Sequence, residues 1–121
     1  MFSIYLFLNI FIVFVISRAP ELEQLPAIKN VEKDVSIVLT CNALKGTKPI
    51  MFEWFHNFDK LSSTNDILID SKTSVSILTI EKIQSKHTGN YSCLANNSDG
   101  SDLSFTFLQV EGKILFYSFY L

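Results

Sequence analysis

The chain has 121 residues and a formal net charge of −2. That length has room for one domain and excludes a second core, and the near-balanced charge supplies no basic stripe to neutralise phosphates, which argues against nucleic acid as a partner. Of eleven Phe, Phe2, Phe7, Phe11 and Phe14 lie near the N-terminus and Phe116 and Phe119 near the C-terminus, so only five serve the body of the chain.

Phe2 to Ile16 is interrupted only by Ser3 and Asn9. This is short of the roughly 20 apolar residues of a bilayer span and suits the apolar region of a signal peptide. The sequence predicts a signal peptide over residues 1–17, a single domain over 18–112 and an apolar tail over 113–121. Val15 and Ser17 give tolerated residues three and one before a cut ahead of Arg18, although no Lys or Arg precedes the run, which leaves an uncleaved anchor open. Delivery to an oxidising compartment makes the only two cysteines, Cys41 and Cys93, candidates for a disulfide. Two buried free thiols in a cytosolic domain fit the same spacing and stay open.

Pro20 and Pro26 flank Leu22 and Leu25, consistent with an irregular edge strand. Val35, Ile37, Leu39 and Cys41 alternate with Ser36, Val38 and Thr40, a period of two that places the first four on the inner face of a second strand. Gly46 and Pro49 mark a turn. Ile50, Phe52 and Trp54 then share one face of a third strand, with Met51, Glu53 and Phe55 on the other. His56 to Lys60 breaks the alternation as a hairpin or corner does, and Ile67-Leu68-Ile69 predicts a short fourth strand. A fifth runs over Val75 to Ile83 with Leu78, Ile80 and Ile83 inward. After a corner over Gln84 to Gly89, Tyr91, Cys93 and Ala95 face inward, while Asn90, Ser92, Leu94 and Asn96 face outward. Asp99-Gly100 supplies the positive φ of a tight hairpin, and the returning strand turns Leu108 and Val110 inward. Seven short strands with regular turn signals and no competing helix describe an all-β, two-sheet antiparallel sandwich.

The stretch from His87 to Gly100 resembles the signature of intermediate-set immunoglobulin domains, here carried by Tyr91, Cys93, Ala95, Asn97 and Gly100. With Trp54 it implies an immunoglobulin-like sandwich, with Cys41–Cys93 as an inter-sheet disulfide beside the core residues Trp54 and Tyr91. Pro49 to Trp54, together with His87 to Cys93, is similar to arthropod members of the Down syndrome cell adhesion molecule family. That resemblance runs from about Pro20 to Gly112 and implies an extracellular recognition or cell-adhesion module, often homophilic. Three positions depart from the pattern. His87 stands where an aspartate is common, Asp34 replaces a frequent glycine, and Asn57-Phe58 replaces a usual glycine-containing turn.

Asn90-Tyr91-Ser92 and Asn96-Asn97-Ser98 both fit the N-glycosylation pattern; Asn96, at a hairpin end, is the better candidate, because Asn90 lies on a strand beside Tyr91 where backbone pairing hinders transfer. Counting back from Val110 and Leu108 sends Phe105 and Phe107 outward, beside Met51, Phe55 and Leu94. Such a patch is expected to bind another protein, with a second copy of the chain as one candidate. A bulge that flips the last strand, or coverage by the 113–121 tail, would remove it. No catalytic residue, cofactor or small-molecule substrate is expected: His56 and His87 lack metal-ligand partners or a nucleophile at useful spacing and are expected at the surface. The expected function is extracellular protein recognition of the adhesion type, with membrane attachment only if the chain is part of a longer one. A secreted immune effector or ligand-capturing domain is the alternative, and a cytosolic structural repeat is a third.

Overall fold

The alternation of apolar and polar residues dictates which side of each strand is buried. In the computed structural model, which describes residues 16–112, it assembles two facing sheets. The expected leader, apart from Ile16 and Ser17, and the expected tail from Lys113 onward lie outside the described residues. The strands are β1 (Glu21–Leu22), β2 (Ile28–Glu32), β3 (Ile37–Lys45), β4 (Met51–His56) and β5 (Asp59–Lys60). They are followed by β6 (Ile67–Ser71), β7 (Val75–Ile80), β8 (Gly89–Asn97) and β9 (Gly100–Glu111), with a 3-10 turn over Ser85–His87. One sheet has the order β1-β3-β7-β6 and the other β2-β9-β8-β4-β5. All pairings are antiparallel except β2 with β9, which is parallel.

The inner faces meet at the disulfide. Cys41 on β3 and Cys93 on β8 are bonded across the two sheets with Cα atoms 6.3 Å apart. Trp54, paired in register with Cys93, is buried beside it. Its indole N–H donates to Ser76 Oγ at 2.8 Å, so the one polar atom of the largest core side chain has a partner on the opposite sheet. Leu39, Leu78, Ile80, Ile83 and Leu108 complete the buried cluster.

Tyr91 pins the corner that precedes β8. Its hydroxyl donates to the His87 carbonyl at 2.7 Å, and burial raises its phenol pKa. His56 stacks on its ring, with centroids 4.4 Å apart and planes 9° from parallel. His87 is itself buried, and its Nδ1 accepts from the Gln84 N–H at 2.9 Å. Both histidines thus depart from the surface placement expected of them: one is half-buried on Tyr91, and the other caps the corner turn from within.

Two further differences follow, and the turn expected after β4 takes the form of a hairpin. Val35 is 40% exposed instead of facing the core, because Asp34 adopts a positive φ of 74° and Val35 is held by its carbonyl to the Ile83 N–H, leaving Ile83 to fill the interior. The single N-terminal edge strand is two strands, β1 on one sheet and β2 on the other, with Pro26 in the crossing between them. The hairpin after β4 closes on β5 through Asn57 and Phe58, both at positive φ (49° and 73°), which is the handedness that tight two-residue hairpins require.

Candidate functional site

β4, β8 and β9 turn alternate residues away from the core, and their register sets which outward side chains become neighbours. Phe55 on β4, Ser92 on β8 and Phe105 on β9 form one row. Glu53, Leu94 and Leu103 form the next, and Met51, Asn96 and Ser101 the one beyond. On the other side of Phe105, Asn90 pairs with Phe107 and Phe107 with Ile28 of β2. The register between β8 and β9 runs without a break from Gly89 against Leu108 to Asn97 against Gly100, so no bulge flips the last strand.

This brings all five patch residues onto one face, although not equally. Met51 and Phe105 are 62% and 55% exposed and Phe107 is 39% exposed, whereas Phe55 and Leu94 are half-buried among them. A shallow groove of about 380 Å³ opens between Phe55, Phe58, Asn90, Ser92, Leu103 and Phe105. Its lining is three aromatic rings and one leucine, with one amide and one hydroxyl. At the β4–β5 edge, Lys60 and Glu53 form an exposed ion pair at 3.7 Å. An apolar centre with a polar margin is the anatomy of a protein-binding patch.

Sequence reasoning missed Phe58, Leu103 and Ile28. Leu103 was within reach of the same count of two that gives Phe105 and Phe107. Phe58 was not, because a turn residue belongs to no alternation: it is thrust outward, 87% exposed, by the geometry of the hairpin. Ile28, 63% exposed, joins through the parallel pairing of a strand with no clear apolar period.

Both acceptor asparagines stand on this same face. Asn90 lines the groove, and Asn96 lies six residues on, with Met51 and Ser101 as its neighbours in register. For catalysis the face offers little: it has no nucleophile paired with a base, and no group of three His, Cys, Asp or Glu able to hold a metal occurs among the described residues.

Residues 19–97 match the immunoglobulin domain family. The Muscle M-line assembly protein unc-89 of Caenorhabditis elegans is 29% identical over 79% of this chain, and the cell adhesion molecule DSCAML1 of Mus musculus is 32% identical over 51% of it. This chain spans only 1% and 3% of the lengths of those two proteins. Among solved structures, titin M4 superposes with a TM-score of 0.73 at 18% identity, covering 80% of this chain and 100% of that one. The chain belongs to the immunoglobulin domain family, with a domain that resembles those of the Down syndrome cell adhesion molecule proteins.

Proposed function

We propose that the chain is an extracellular protein-recognition module of the cell-adhesion type, which engages its partner through the outer face of the β2-β9-β8-β4-β5 sheet, a second copy of itself being the first candidate. The protein is not an enzyme, since immunoglobulin domains are recognition and structural modules and not catalysts. The observation that carries the proposal is the exposed cluster around Phe105. Isolated apolar side chains on a surface need no explanation, but Met51, Phe58, Leu103, Phe105 and Phe107 crowd one face. Burying each such side chain is worth roughly 1.5–3 kcal/mol. Likeness to DSCAML1, a cell adhesion molecule, supports the adhesion reading.

A structural repeat of a filament is a second reading, favoured by the likeness to an M-line assembly protein. The Cys41–Cys93 bond weighs against it, because disulfides persist in oxidising compartments and are rare in the cytosol. Sedimentation velocity of the purified chain and of the Phe105→Ser, Phe107→Ser double variant tests the proposal. Self-association that weakens at least tenfold, with an unchanged circular dichroism spectrum, is the expected result. A variant that associates as the parent does would remove this face as the contact.

A further inference from the structure

The acceptor triplet Asn90-Tyr91-Ser92 opens into the aromatic groove itself. Asn90 and Ser92 both line it, and Ser92 lies in register between Phe55 and Phe105. The Asn90 backbone is held by Asn57: its N–H donates to Asn57 Oδ1 at 2.9 Å, and its carbonyl accepts the Asn57 N–H at 2.8 Å. By contrast, the Asn90 side-chain amide makes no hydrogen bond to the protein among the described residues. The backbone is therefore fixed while the acceptor nitrogen is available, and whatever is attached to that nitrogen begins its course between Phe55, Phe58 and Phe105.

A pyranose ring has a face of C–H groups that buries well against aromatic rings, and an apolar groove left bare in water gains from such cover. We propose that an N-linked glycan on Asn90 seats its first N-acetylglucosamine in this groove and thereby controls whether the face docks a protein. The transfer forms a bond from Asn90 Nδ2 to the sugar C1, breaks the C1–oxygen bond of a lipid-diphosphate sugar donor, and releases one amide proton. The inference rests on the docking face and the extracellular location proposed above. Asn96 supplies an internal control: at about 3.3 Å per residue it stands roughly 20 Å farther along the strand, beside Met51 and outside the groove. Sugar there leaves Phe105 uncovered.

The full chain, secreted from a eukaryotic host, is mapped by glycopeptide mass spectrometry, and its sugar contacts are read as nuclear Overhauser effects. The expected result is a modified Asn90 whose first acetyl methyl group contacts the Phe105 ring. An unmodified Asn90, or a modified one with no contact to Phe55, Phe58 or Phe105, overturns the proposal. Sedimentation then compares the parent with Asn90→Gln, Ser92→Ala and Asn96→Gln, each checked for an unchanged circular dichroism spectrum. Asn90→Gln and Ser92→Ala should self-associate at least tenfold more tightly than the parent, and Asn96→Gln as the parent does. Should the acetyl contact be present while the bare variants stay monomeric, the seat of the sugar stands and the self-docking reading falls. Glycosylated parent and Asn90→Gln that associate equally tightly would show that the sugar does not control the face.

Discussion

The inner and outer faces of the β2-β9-β8-β4-β5 sheet are made from the same strands, one residue out of step. On the inner face the anchoring groups are held within the core: Cys93 by Cys41 through a bond, Trp54 by Ser76 through a hydrogen bond, Leu108 by the packed cluster. Along β9 that face also carries Ser104 and Thr106, small and fully buried. The outer face reverses the distribution, with the large side chains Leu103, Phe105 and Phe107 on the solvent side of the same strand. Between Leu103 and Phe107 the strand thus carries its bulk outward and its small residues inward, the reverse of what burial alone favours. The outward face of the other sheet makes the point again: its rows run Val38-Thr79-Leu68 and Thr40-Ile77-Asp70, so apolar and polar groups interleave and no comparable cluster forms.

Breaking the bridge is expected to have the largest effect. The bonded cysteines are separated by 52 residues, and closing such a loop is worth roughly 4 kcal/mol on the chain-entropy account, a large share of the 5–15 kcal/mol of a small domain. Cys41→Ser with Cys93→Ser should lower the unfolding free energy from guanidinium denaturation by about that amount, or prevent folding. The neighbours Phe107 and Leu108 sharpen the contrast within a single step of the chain. Leu108→Ala should cost about 2–5 kcal/mol by leaving a cavity, whereas Phe107→Ser should cost about 1 kcal/mol or less in the same denaturation experiment. Equal losses would mean that the outer face contributes to folding as the inner one does.

These two faces were unequally legible in the sequence. The inner one was readable because Cys41, Trp54, Tyr91 and Cys93 are anchors whose burial fixes the phase of every neighbouring residue. The same phase placed Phe105 and Phe107 outward. It could not place β2, whose Ile-Lys-Asn-Val-Glu sequence buries only one side partly and takes its position from a long-range parallel pairing. Val35 was misplaced for a related reason, since a positive φ at Asp34, a residue type that permits it without requiring it, rotates the chain just before β3. Phe58 is the most instructive miss. A bulky side chain at φ 73° costs of order 1–2 kcal/mol, and its exposure shows that no burial offsets that cost. Phe58→Gly should therefore raise stability by about 0.5–1 kcal/mol in thermal or chemical unfolding, after allowance for the extra freedom of glycine in the unfolded chain. The same variant should weaken self-association by removing one wall of the groove. A gain in stability with unchanged association would separate Phe58 from the docking face.

The smallest expected effect lies at the rim where the inner face meets the corner, at His87. Burial lowers its pKa, the adjacent Lys86 lowers it further, and Asp66, ion-paired with Lys86, opposes them only in part. The neutral ring is also the form that the geometry uses, because Nδ1 must be unprotonated to accept the Gln84 N–H. Since the folded pKa lies below the ordinary value of 6.5, the unfolded chain takes up its proton first as pH falls. The contribution of His87 is thus fully present above about 6.5 and is lost as pH drops from there toward the lower folded pKa. Melting temperatures between pH 7.5 and 5.5 should fall for the parent and fall less for His87→Asn, which keeps an acceptor at the cap but does not titrate. Parallel pH slopes in the two proteins would place the acid sensitivity elsewhere and leave the buried imidazole a purely structural cap.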